Sequence, residues 1–241
     1  MQLSLSFDPS PAVLEFRDRL RAALGPFPFD AGLEPIDQLV KSTISSRTQD
    51  AVSWNAYGRL KVAFPDWRDL LAAPLCGVEA ILGPVTHADS KTEWVVKTLS
   101  RILELRGDFD LGFLADWPIE QAMAWLQQFE GVGPKVAAAV LNFSTLRRPV
   151  MVVDTHVWRV ARRFGLVGGR ADPDGVRRLI LQEAPISWDA HDFYELHWLM
   201  KRLGQTFCSD GRPRCGGCPL RRQCASRLME PQEGAAARVA A

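Results

Sequence analysis

Apolar positions along the chain recur mostly three and four residues apart, and little of the sequence alternates as a half-buried strand would. The pattern predicts an all-α protein. The first helix is written in SPAVLEFRDRLRAALG, where Ser10 can cap, Pro11 takes the first helical position and Gly25 stops the run. Further helices are expected over Pro35 to Ser46, Asp50 to Phe64, Lys91 to Arg106, Pro118 to Phe129, Lys135 to Phe143, Thr155 to Phe164, Pro173 to Glu183 and Ala190 to Leu203. Short loops with Gly, Pro, Asp or Asn separate several of them. The chain has no repeat or low-complexity segment apart from a biased tail, PQEGAAARVAA, which is expected to fray.

With 241 residues, 47% of them hydrophobic, the chain can fill one large core or two small ones. No stretch approaches the roughly 20 uninterrupted apolar residues that span a bilayer, and MQLSLSFDPSPAV lacks the basic start and apolar run of a secretory signal. A cytoplasmic protein with no membrane partner is expected. The formal net charge of +1 conceals an asymmetry: Met1 to Glu130 holds 12 basic and 18 acidic residues, whereas the remainder holds 17 and 10. A basic second half suits a polyanion, or equally a set of solvated arginines on ordinary helices.

Four of the five cysteines lie in CSDGRPRCGGCPLRRQC, spaced C-x6-C-x2-C-x5-C from Cys208 through Cys215 and Cys218 to Cys224. In a reducing compartment such a cluster points to metal ligation rather than disulfides. A zinc ribbon supplies two C-x2-C pairs and this loop has one, so spacing favours an iron–sulfur cluster while leaving zinc open. Arg212, Arg214, Arg221 and Arg222 sit in the same loop, which has too few apolar residues to order itself. Cys76, in PLCGVEAIL, is expected to be a small core residue.

WLQQFEGVGPKVAAAVLNF reads as a helix, a glycine hairpin and a second helix, with Gly131 and Gly133 able to take positive φ. Such a turn presents backbone N–H groups at a helix N-terminus, donors that bind a phosphate without reading sequence. Lys135 opens the second helix, where the helix dipole and desolvation disfavour its ammonium form; it is either a nucleophile or a phosphate-binding lysine. In MVVDTHVWRVARRFG, Asp154 stands between an apolar run and a helix, where it can serve as an N-cap, and His156 is a core or supporting histidine.

Taken in order, GVGPKVAAAVLN, VVDTHVWRVARRFG and the four-cysteine loop resemble the endonuclease III family of helix-hairpin-helix DNA glycosylases, over roughly Leu33 to Cys224. The resemblance implies two helical lobes with a DNA-binding cleft between them. Residues 33–147 would form a six-helix barrel; residues 1–32 would pack with residues 148–241, which carry a 4Fe-4S cluster. It makes Lys135 the Schiff-base nucleophile, Asp154 the catalytic carboxylate and the four cysteines the cluster ligands. The hairpin glycines with Arg212 and Arg214 become DNA contacts, in a protein expected to be monomeric.

At the damaged base the sequence departs from the family pattern. Arg47, in ISSRTQD, takes the place of a glutamine that often fills the gap in the duplex, and His87, in GPVTHADSK, that of a bulky apolar wedge. The implied activity is removal of oxidised pyrimidines with strand nicking by β-elimination. A monofunctional mismatch or adenine glycosylase and a non-catalytic cluster-containing DNA-binding protein are the alternatives; Lys135 argues against the first, and Lys135 with Asp154 against the second.

Overall fold

A computed structural model describes residues 11–228, so the expected cap Ser10 and the tail from Pro231 lie outside the described residues. The helices are α1 (Pro11–Leu24), α2 (Pro35–Ser45), α3 (Asp50–Ala63), α4 (Trp67–Ala72), α5 (Leu75–Leu82) and α6 (Ala88–Arg106), followed by α7 (Ile119–Gln127), α8 (Pro134–Phe143), α9 (Thr155–Phe164), α10 (Pro173–Glu183), α11 (Ala190–Thr206) and α12 (Ala225–Leu228). Among the described residues there is no strand; Leu33 and Ser144 form an isolated parallel bridge. The all-α expectation holds, and Gly25, at φ +78°, ends α1 as its sequence indicates. The sequence pattern gave no sign of α4 and α5, because six and eight residues are too short for helical periodicity to show, and each buries only two side chains.

The chain divides into two compact units. One comprises residues 29–152 and 189–194. Its core includes Ile44, Leu60, Leu82, Leu99, Leu126 and Leu141, all fully buried. Burial of each such leucine contributes about 1.5–3 kcal/mol. Helix α2 packs most extensively on α8, whose run Ala137–Ala139 carries little bulk and lets the backbones approach.

The other unit takes in residues up to Pro28, 153–188 and from 195 onward. Phe16 of α1 and Phe164 of α9 place their rings 4.6 Å apart over a core with Leu20, Val157, Val160 and Ile180. Glu195 is buried there, accepting from the Phe27 N–H at 3.2 Å with Arg21 at 3.3 Å and Arg17 at 3.9 Å. A buried carboxylate without such partners would cost several kcal/mol, so these contacts fix α1 against α11. No helix among the described residues is long and apolar enough to cross a membrane.

Candidate functional site

The hairpin between α7 and α8 is built on one left-handed glycine. Gly131 has φ +80°, whereas Gly133, also expected to be able to adopt positive φ, is extended at φ −86° and ψ −179°. Pro134 explains the difference: the residue before a proline is confined to extended backbone. Gly131 lies against the indole of Trp94, and the Trp94 Nε1–H donates to Glu130 Oε1 at 3.1 Å. Lys97 donates to the other Glu130 oxygen at 3.2 Å, so α6 grips the hairpin from below. Gly133 has no side-chain cap and open space where a Cβ would stand. The first-turn N–H groups of α8 therefore face outward with room for an anion.

Lys135 follows in the first turn of α8 and is half-buried. Its charge is felt by Lys91: burial, and then Lys135, pull the Lys91 ammonium down to about 8. Arg47, His87, Gly131 and Gly133 all line one cavity of about 510 Å³, together with Ser46, Lys91, Trp94 and Phe129. The residues that the sequence marks as hairpin and wedge thus come together within one unit. Arg47 and His87 are exposed and share an unusual backbone, φ +53° and +57°. Arg47 is the third residue of a turn closed by Thr48 N–H to Ser45 O at 3.1 Å, with Ser46 at φ −59° and ψ 131°. This is type II geometry, which favours glycine where Arg47 stands. His87 occupies the N-cap of α6 with no side-chain cap bond. Left-handed non-glycine residues cost about 1 kcal/mol or more and gather at functional sites.

In the other unit, Asp154 caps α9, its Oδ1 accepting from the Val157 N–H at 2.9 Å. Burial acts to raise its pKa; His197 first, then the Val157 N–H, Lys201 and His156, outweigh that and hold the carboxyl below its ordinary range. His197 and Lys201, one turn apart on α11, are buried. Their closeness to Asp154 is invisible in the sequence, since more than forty positions separate them.

The cysteine loop is held by α9. Arg159 donates from Nε to Cys208 O at 2.7 Å and from Nη2 to Gly204 O at 3.0 Å, with His156 Nδ1 2.9 Å from the same Nη2. Arg163 donates to Ser209 O at 2.6 Å, Asp210 O at 2.8 Å and Cys208 Sγ at 3.6 Å. The i, i+4 spacing of these two arginines was the available signal for this role. Arg212 and Arg214 are exposed on the loop, with the Arg214 guanidinium bonded to Thr206 O. The Cys218 thiol is pushed up by burial; the Leu220 N–H opposes this, and Cys208, Cys224 and Cys215 reinforce it. The four thiols therefore share one neighbourhood, although among the described residues no three His, Cys, Asp or Glu groups close on a single metal ion. Cys76 is exposed, contrary to the core position expected, because Val78 and Leu82 take the buried face of α5.

Residues 40–185 match the family described as the HhH-GPD superfamily base excision DNA repair protein. The DNA glycosylase/AP lyase ROS1 of Arabidopsis thaliana is 29% identical over 172 residues, covering 66% of this chain and 12% of that protein. Endonuclease III of Rickettsia felis is 39% identical over 99 residues, 41% of this chain and 44% of that protein. The chain spans less than half the length of these curated relatives. Among solved structures, a non-covalent endonuclease III–DNA complex superposes with a TM-score of 0.75 at 21% identity, covering 90% of this chain and 95% of that one. A trapped endonuclease III–DNA covalent intermediate gives 0.74 at 21%, covering 90% and 96%.

Proposed function

The chain belongs to the HhH-GPD superfamily of base excision DNA repair proteins, and from that premise we propose that it is a bifunctional DNA glycosylase and abasic-site lyase acting on oxidised pyrimidines in duplex DNA. The observation that carries the reading is Lys135, half-buried in the first turn of α8 directly after an anion-ready hairpin. The lyase in the printed name of one relative and the covalent intermediate of one structural neighbour support the same chemistry.

The damaged nucleotide leaves the stack, at least cost where pairing is already weak. The Lys135 amine lone pair forms a bond to C1′ as the C1′–base bond breaks, and the base departs with that electron pair and a proton. Asp154, held ionised, supplies negative charge for the positive charge developing on the sugar. The proton taken by the departing base is the one the attached amine gives up, and the sugar ring then opens as O4′ takes a proton from water, which leaves a protonated imine at C1′. Removal of the C2′ proton then forms a C2′–C3′ double bond as the 3′ phosphate leaves, and water returns Lys135 by hydrolysing the imine.

Cys208, Cys215, Cys218 and Cys224 fit a 4Fe-4S cluster in number and chemistry: four thiols share one polar loop, and thiolates are the ligands such a cluster takes. When bound, the cluster supplies a covalent staple and a redox-capable centre. Arg159 and Arg163 meanwhile hold the loop to α9, which leaves the remaining basic side chains to meet phosphates.

Borohydride added during reaction with abasic DNA tests the reading. It should reduce the imine and trap a protein–DNA adduct, and Lys135→Gln should abolish trapping while leaving duplex affinity nearly unchanged. Normal trapping and nicking by Lys135→Gln would sink the mechanism. Cleavage of a panel of duplexes carrying oxidised pyrimidines, oxidised purines or mismatches decides the substrate class.

A further inference from the structure

Lys91 is among the most buried side chains of the protein, at 1% exposure. Its Nζ donates to Ile44 O at 2.9 Å, to Ser46 O, and to Thr48 Oγ1 at 3.0 Å. The two carbonyls terminate α2, which leaves them without intrahelical partners and at the negative end of its dipole. A cation reaching in from α6 satisfies both. Thr48 Oγ1 in turn accepts from the Thr86 N–H at 3.2 Å, and the Lys91 N–H donates to His87 O at 3.1 Å. Through its ammonium on one side, and through Thr48 Oγ1 and its own backbone N–H on the other, Lys91 therefore joins the turn that carries Arg47 to the segment that carries His87.

An apolar residue of similar length would leave the buried Ile44 carbonyl unsatisfied, Ser46 O keeping only its bond from the Thr48 hydroxyl at 3.3 Å, which accounts for a polar group here but not for the geometry it holds. Arg47 and His87 are two of the three non-glycine residues with positive φ among the described residues, and both border the same cavity. Conformations of that kind persist only where surrounding contacts over-determine them.

We propose that Lys91 is a positioning residue that clamps the Ile44–Thr48 turn and so presents Arg47 beside His87 at the mouth of the hairpin cavity, giving the protein its preference for duplex DNA with a missing base. This rests on the DNA-repair reading above. Lys91 does not itself need to touch DNA; it acts through the backbone on either side of Arg47. The clamp is made to carbonyls, so it is indifferent to the side chain at position 47 but essential to where that side chain points.

The test is the affinity ratio between a duplex carrying a tetrahydrofuran abasic analogue and the matching intact duplex. Wild type should prefer the analogue, and Lys91→Met should lower the preference by about tenfold. Thr48→Val, which removes one shared acceptor and keeps the shape, should produce a smaller loss in the same direction and decides the matter if Lys91→Met does not fold. In an Arg47→Ala background, Lys91→Met should add nothing, since both changes remove the same contact. An unchanged preference in the single variants, additive losses in the double variant, or a wild type without preference would each overturn the proposal. Trapping at Lys135 is read separately: its failure with an intact Lys91 effect removes the lyase chemistry alone, and the converse removes the clamp alone.

Discussion

Gly131 rests on the face of Trp94 so closely that a Cβ at that position would stand 2.7 Å from both Cδ2 and Cε3 of the indole. Two residues away, Gly133 meets nothing within 4 Å. The two glycines of the hairpin therefore serve different ends: one allows the backbone to turn against α6, and the other leaves room above the helix N-terminus.

Alanine substitution should separate them. Gly131→Ala combines a strained left-handed backbone with overpacking and should cost about 2–4 kcal/mol in thermal unfolding, with DNA affinity falling alongside. Gly133→Ala should change stability by less than about 1 kcal/mol, its backbone being extended, yet weaken DNA binding because a methyl enters the space above the N–H groups. Equal stability losses in the two variants would contradict this division.

Asp154→Asn should preserve the cap of α9, since Asn caps about as well as Asp, while base excision falls about 100-fold through loss of the carboxylate charge. The depressed pKa of Asp154 sets the sign of a second effect. Its ionised form stabilises the fold above the ordinary carboxylate range, and that contribution is lost as pH falls through the folded-state pKa. Acid unfolding curves of wild type and variant should therefore converge at low pH and diverge as pH rises.

Lys91 predicts a slope of the same sign in alkali. Below about 8 it is protonated in both folded and unfolded chains; between about 8 and its ordinary 10.5 the unfolded chain holds a proton that the folded one does not. Stability of wild type relative to Lys91→Met should rise with pH across that window, as denaturant midpoints at fixed salt would show. A flat difference would mean that burial and Lys135 do not act on Lys91 as described.

For the cysteine loop, Cys215→Ser and Cys218→Ser should yield protein without iron and with lower solubility, because the loop has few apolar contacts of its own. Arg163→Gln should retain iron but lose part of the loop's protection from proteolysis, by about 1–3 kcal/mol of local stability for the charged hydrogen bonds removed. Full iron content in both cysteine variants would reassign the ligands.

How far these features could be read from sequence follows from how local each one is. The long helices, the Gly25 stop and the Asp154 cap depend on neighbours within a turn, and each stands in the chain as written. Trp94 beneath Gly131 is 37 positions away, Lys91 reaches 47 positions back to Ile44, and His197 lies 43 beyond Asp154. No periodicity carries such information. Arg47 and His87 are marked only by resemblance; their left-handed backbones are set by a turn and a helix start whose residues, Ser46-Arg47 and Thr86-His87, include no glycine, asparagine or aspartate, and the histidine alone is a weak signal.

The Arg47 turn means that this chain is not the most stable version of itself. Glycine is what type II geometry asks for at that position, and the carbonyls held by Lys91 would remain in place beneath it. On the proposed reading, Arg47→Gly would raise the melting point while removing the side chain that Lys91 presents, so stability and recognition pull in opposite directions at this one position.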